Sequence, residues 1–192
     1  MKYEPLIADK YYHIYNRGNN REDIFLQERN FPYFLSLIQK YILPVAEIYA
    51  YCLLKNHFHL LIKTKEIEDD KLISRAFSNL FNAYSKAINM AFNRTGSLFQ
   101  DRFKRKIIED EDYLKTLILY IHLNPQNHKM IEDFSFYKHS SYQSILSRQP
   151  TFLSREEVLG LFDNPTNLAD VHFQRRDEIL NNSLDLTGLE DL

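Results

Sequence analysis

The sequence predicts an α+β fold in which helices pack on one antiparallel sheet. Three observations lead there. The apolar periodicity switches between strand-like and helix-like in the order strand, helix, two strands, helix, strand, helix. The two consecutive strands are parted only by the polar pair Lys55-Asn56, which reads as a tight turn. A chain of 192 residues that is 44% hydrophobic and holds only four glycines can offset its ordering entropy by burial, and it is long enough for one well-cored domain. A ferredoxin-like arrangement is the simplest that satisfies this order. The main domain is expected over residues 1–147, and a helical, partly disordered extension over residues 148–192.

Tyr11-Tyr12-His13-Ile14-Tyr15 is aromatic and β-branched and reads as the first strand, stopping at the turn-forming cluster Asn16-Arg17-Gly18-Asn19-Asn20. From Asn30, an N-cap candidate, Phe31, Phe34, Leu35, Ile38, Tyr41 and Ile42 keep the i, i+3, i+4, i+7 spacing of a helix on a core, and Pro44 marks its end. Val45 to Leu54 and Phe58 to Ile62 form the hairpin, which is expected at the centre of the sheet. Apolar pairs from Leu72/Ile73 to Ala87/Ile88 then describe a long helix reaching about Asn93. Lys104 to Glu109 reads as a short strand. Asp112 can cap a helix whose buried stripe is Leu114, Leu117, Ile118 and Ile121, and Pro125 stops it. Later stretches, Ser140 to Leu146, Ser154 to Phe162 and Thr166 to Leu180, carry weaker helical patterns, and Asn181 to Leu192 is expected to be mobile.

No apolar run approaches the roughly 18 residues that span a bilayer, and MKYEPLIADK lacks the apolar core of an export signal. Cys52 is the only cysteine, which excludes an intramolecular disulfide and a cysteine-based zinc cluster and fits a cytoplasmic setting, with nucleoid association when bound to DNA. The net charge of −2 averages unlike halves: residues 1–110 hold 17 Lys and Arg against 13 Asp and Glu, and residues 111–192 hold 7 against 13. The sharpest basic cluster runs from Arg94 to Lys106, with Asp101 its single anion, a local surface of the kind that binds phosphates. Taken alone, such a run is more often a solvated face.

His57-Phe58-His59 opens the second hairpin strand, so both imidazoles point to one face and can grip one metal ion, at the rim of the sheet where a substrate approaches. Alone, the pattern also describes two half-buried histidines. On the last strong helix, at about 100° per residue, Tyr113, Thr116, Tyr120 and Asn124 share one side, and Tyr120 and Asn124 are i, i+4 neighbours. With 13 tyrosines in the chain, spacing alone does not single out Tyr120.

Four segments, YHIYNRG (Tyr12 to Gly18), NHFHLLIK (Asn56 to Lys63), GSLFQDRFKRK (Gly96 to Lys106) and YIHLNP (Tyr120 to Pro125), together resemble the single-tyrosine HUH transposases. The closest likeness is to the REP-associated tyrosine transposase branch, in which Asn-Pro follows the nucleophile. The resemblance covers residues about 10 to 145 in the correct order. It implies an HUH endonuclease palm in which His57 and His59 hold Mg²⁺ or Mn²⁺ and Tyr120 attacks the scissile phosphate, leaving a 5′-phosphotyrosine and a free 3′-hydroxyl. Insertion-sequence relatives commonly carry glutamine one turn after the tyrosine, where this chain has Asn124. Its place before proline disfavours helical geometry, and His128 is the reserve third ligand. His122 lies on the far side of the helix and packs or faces solvent.

In the same likeness the Gly96 to Lys106 segment carries DNA. Arg102, Lys104, Arg105 and Lys106 are candidates to hold phosphates, Phe99 and Phe103 to stack on bases unless they are core residues, and Arg17 is a further phosphate candidate. The implied partner is single-stranded DNA with a hairpin or inverted repeat, and the implied assembly a monomer or homodimer. Two other readings stay open: a domesticated hairpin-binding module that no longer cuts, and a metal-dependent nuclease that uses water in place of Tyr120.

Overall fold

In the structure, a computed structural model, residues 5–181 are described, so the tail expected to be mobile lies, apart from Asn181, outside the described residues. The chain runs β1 (Tyr11–Arg17), α1 (Asn30–Tyr41), β2 (Ala46–Leu54), β3 (His57–Thr64), α2 (Lys71–Ala91), β4 (Lys104–Ile108), α3 (Glu111–Asn127), α4 (Tyr142–Leu146), α5 (Arg155–Leu161) and α6 (Pro165–Asn181), with short 3-10 turns at Asn19–Arg21 and Phe134–Phe136. The strands pair antiparallel in the order β2-β3-β1-β4, the ferredoxin-like connectivity expected from the order of elements.

β1 runs on through Asn16 and Arg17, past the point where turn-forming residues suggested a loop, because the β3 ladder continues to Arg17↔His57. Gly18 then ends it. A side chain there would run into the Glu22 carbonyl, and the Gly18 amide donates to the Asn56 carbonyl at 2.7 Å, tying the end of β1 to the β2–β3 turn. The hairpin is not the centre of the sheet. β3 and β1 take the middle, and β2 is an edge strand whose free side is covered by bridges to Ser140 and Leu153 and by bonds such as Leu53 N–H to His139 O at 2.9 Å. That cover explains why β2 reads as a nearly continuous apolar run.

Register assigns the faces. Arg17, Tyr15 and His13 of β1 lie opposite His57, His59 and Leu61 of β3, on the face covered by α3. Phe58 and its even-numbered neighbours point the other way and meet Phe34 of α1 and Phe81 of α2, with ring centroids 5.2 and 5.7 Å away. The buried row Ile73, Ala76, Phe77, Leu80, Tyr84 and Ile88 is the side of α2 that makes this contact.

Two expectations for α3 are corrected. Its cap is Asp110, which has extended backbone angles and accepts from the Tyr113 N–H at 2.7 Å, whereas Asp112 already lies in the first turn. Pro125 does not stop the helix. Proline there deprives only the Ile121 carbonyl of its partner, and the final turn closes through His128 N–H to Asn124 O at 3.0 Å and Met130 N–H to Pro125 O at 2.9 Å. Asn124 is therefore helical despite preceding proline. Beyond residue 147, Ser154 N–H bonds Ile48 O at 2.9 Å, and α6 packs on α3.

Candidate functional site

The strand period places both imidazoles of β3 under α3, where His57 is 4% and His59 0% exposed. They are therefore not at an open rim: α3, carried through its proline, lies over them. This brings Tyr120 and Asn124, one turn apart on α3, to the same pair. The Tyr120 ring stands edge-on to His59 at 5.7 Å between centroids, and Asn124 Oδ1 lies 3.4 Å from His57 Nε2. His128, past the end of α3, has its ring 4.8 Å from that of His57.

Hydrogen-bond partners decide what each ring presents. His57 Nδ1 faces Asn56 Oδ1 at 2.7 Å, and an amide oxygen only accepts, so Nδ1 carries the proton and Nε2 holds a lone pair. With the Asn124 amide in this orientation, two lone pairs face each other while Asn124 Nδ2 and His59 Nε2, both buried, have no hydrogen-bond partner. A nitrogen and an oxygen lone pair 3.4 Å apart, with the partnerless His59 Nε2 on a ring 5.2 Å from that of His57, make a donor set that fits a cation. Among the described residues no group of three or more His, Cys, Asp and Glu side chains could hold a metal, and the oxygen that lies beside His57 Nε2 belongs to the Asn124 amide. On its far side, His59 Nδ1 lies 3.0 Å from Nε2 of the fully buried His13.

Burial, reinforced by the nearby His128 and Arg17, pushes the His57 pKa down to about 3, and burial with the neighbouring histidines holds His59 well below its ordinary range. Burial with Lys106 lowers His13 to about 3. All three rings are neutral near pH 7, the state in which imidazole binds a metal.

The basic residues divide between the two faces. Arg17 is 5% exposed, sits opposite His57 in the ladder, and its Nε is buried without a hydrogen-bond partner. Lys104 and Lys106 share that face: Lys104 lies over Tyr15, and Lys106 donates to the Tyr113 hydroxyl at 2.9 Å. Arg102 and Arg105 instead line a cavity of about 470 Å³ with Asn16, Asn82 and Gln100 on the α2 side of the sheet. Phe103 is corrected as a base-stacking candidate. It is 7% exposed and packs on Phe77 and Phe81 at 5.2 and 5.3 Å, with the Arg105 guanidinium over its outer face at 4.2 Å. Phe99 is likewise a core residue.

Sequence reasoning missed His13 and Asn56, which touch the outer nitrogens of His59 and His57. Both lay within segments that carried the resemblance. Only the β1–β3 register, which no local pattern supplies, puts His13 next to His59. His122 packs, as one of its two expected states, between His172 and Ser141.

The family model described as "Transposase IS200 like" matches residues 7–124. The chain is similar in structure to a REP-associated tyrosine transposase bound to a REP hairpin, with a TM-score of 0.62 and 17% identity over 80% of this chain and 90% of that one. A candidate transposase from Deinococcus radiodurans R1 aligns with a TM-score of 0.41 and 13% identity over 61% of this chain and 92% of that one. Comparison with curated proteins gives no match. Among the described residues no helix is long and apolar enough to cross a membrane.

Proposed function

Since this chain belongs to the IS200-like transposase family, we propose that it is a single-tyrosine strand transferase of the REP-associated branch, cutting and rejoining single-stranded DNA beside a hairpin. The observation that carries this is the convergence of His57 Nε2, His59 and Asn124 Oδ1 directly beside Tyr120. His57, His59 and Asn124 would hold Mg²⁺ or Mn²⁺. Three protein donors fall short of the roughly six that Mg²⁺ takes, which leaves room for phosphate oxygens, and imidazole ligands favour Mn²⁺ in affinity. When bound, the ion polarises the phosphoryl oxygen and neutralises developing charge.

The chain's own groups do the rest. The Tyr120 oxygen attacks the phosphorus as its proton is lost, a Tyr–O–P bond forms, and the bond from phosphorus to the 3′-oxygen breaks, that oxygen leaving as a hydroxyl with a proton gained. The 5′-phosphotyrosine keeps the ester energy, so an incoming 3′-hydroxyl reverses the step and joins a strand without ATP. Arg17, buried beside His57, binds a phosphate oxygen at the reacting position. Its five donors in a fixed fork suit that task. Lys104 and Lys106 extend this cationic face along β4 and hold flanking phosphates. A hairpin partner is supported by the related structure with its REP hairpin, and the place of action is the cytoplasm.

The test uses single-stranded oligonucleotides covering the inverted repeats next to the gene. With Mn²⁺ or Mg²⁺ an SDS-resistant protein–DNA adduct is expected, absent with EDTA and absent in Tyr120→Phe. His57→Ala and His59→Ala should each abolish it. Normal cleavage by both histidine variants overturns the metal assignment, and cleavage to a free 5′-phosphate with no adduct overturns the tyrosine.

A further inference from the structure

The two imidazoles of the site are held from behind by different groups. His57 rests its Nδ1 on a fixed acceptor, the Asn56 amide oxygen, at 2.7 Å. His59 rests its Nδ1 on Nε2 of His13 at 3.0 Å, and both rings are fully buried. The pair is nearly coplanar in tilt, 19° between rings with centroids 5.1 Å apart, and Tyr15 stacks on both, at 4.7 Å from His13 and 5.9 Å from His59. Two nitrogens meeting at hydrogen-bond distance share one proton. If His13 Nε2 carries it, His59 must place its own proton on Nε2, the atom that faces the site. If His59 Nδ1 carries it, His59 Nε2 offers a lone pair.

We infer that His13 is a positioning residue, the acceptor that fixes the plane and tautomer of His59 so that its Nε2 lone pair faces the metal site. The inference rests on the proposed metal reading and extends it to a residue that touches neither metal nor DNA. Outer partners of metal-bound imidazoles act in this way, and their loss costs about 10–100-fold in metal affinity. The sheet makes the role possible: Tyr15 lies opposite His59 in the β1–β3 ladder, which puts His13, on the same face, diagonal to His59 at one end of the stack. No other protein group fixes the proton position, since His13 Nδ1 and His59 Nε2 both lack hydrogen-bond partners.

The test is Mn²⁺ binding to the full chain without DNA, followed by electron paramagnetic resonance, in the wild type, His13→Phe and His13→Gln. Phenylalanine keeps the stack and removes the acceptor. Glutamine keeps an acceptor. A 10–100-fold weaker Mn²⁺ dissociation constant is expected for His13→Phe, with most of the loss recovered in His13→Gln and adduct formation by His13→Phe returning at saturating Mn²⁺. Equal affinity in wild type and His13→Phe overturns the positioning role. No Mn²⁺ binding by the wild type overturns the metal reading itself, a distinguishable result. Should His13→Phe fail to fold, ¹⁵N imidazole spectra of the Mg²⁺-loaded wild type decide: the proton is expected on His59 Nδ1 with His13 Nε2 bare, and the reverse overturns the inference.

Discussion

Lowering the pH should destabilise this protein through the buried histidine pair His122–His172, which joins α3 to α6. His172 donates from Nδ1 to the Leu168 carbonyl at 2.7 Å, so its Nε2 accepts, and His122 Nδ1 donates to it at 2.8 Å. His122 Nε2 in turn accepts from Ser141 Oγ at 2.8 Å, and Ser141 Oγ accepts from the Tyr51 N–H at 2.9 Å. Every position is filled by neutral rings, and a proton on His172 Nε2 would face the His122 N–H. Burial pushes the His172 pKa from its ordinary 6.5 down to about 4. Above pH 6.5 neither the folded nor the unfolded state takes up this proton. Between the two values only the unfolded state does, so stability is present above about pH 6.5 and is lost as the pH falls towards 4. At about 1.4 kcal/mol per pH unit the full loss is about 3 kcal/mol, of which about 2 has gone by pH 5. Urea titrations at several pH values read it directly. His172→Leu should flatten the acid slope by about 1.4 kcal/mol per pH unit relative to wild type, while costing about 1–3 kcal/mol at pH 7 by stranding the His122 donor. Identical slopes for wild type and His172→Leu would refute the reasoning.

Other consequences are smaller to state. Phe103→Ala should lose about 3–5 kcal/mol of folding stability, because its ring is packed on Phe77 and Phe81, and a loss of DNA affinity with unchanged stability would restore it as a stacking residue. Lys104→Ala, at the exposed start of β4, should lower the salt dependence of DNA binding by about one counterion and leave the urea midpoint unchanged. Arg17→Met should cut adduct formation at least tenfold without lowering the melting temperature, since the Arg17 Nε makes no hydrogen bond that folding would lose. Gly18→Ala should destabilise by about 1–3 kcal/mol, measured by thermal melting, because a methyl group meets the Glu22 carbonyl.

The fold was legible because each main element carries its own period: the α2 stripe, the hairpin around Lys55-Asn56 and the order of strands were enough to reach the connectivity found. The hairpin's place in the sheet was misjudged, since β2 reads as a buried central strand while its edge is covered by segments near Ser140 and Leu153 that carry no strand pattern. Local rules misjudged α3 at both ends. Asp110 and Asp112 offer the same capping chemistry, and Pro125, so near the end of the helix, removes one bond while backbone bonds beyond it close the last turn. Of the site, His57, His59, Tyr120 and Asn124 were named from pattern and resemblance, and the structure brings them together. The basic segment was harder. An alternating strand sends Lys104 and Lys106 to one face and Arg105 to the other, and composition alone treats them as one patch. His13 needed the pairing of two strands separated by more than 40 residues.

The central claim, that Tyr120 is the group joined to DNA, is tested most directly by mapping the adduct. After reaction with a hairpin oligonucleotide and Mn²⁺, nuclease trimming and proteolysis, mass spectrometry should place the nucleotide mass on the peptide containing Tyr120, linked through a 5′-phosphate. A nucleotide found on any other tyrosine, or a 3′-phosphate linkage, would contradict the account.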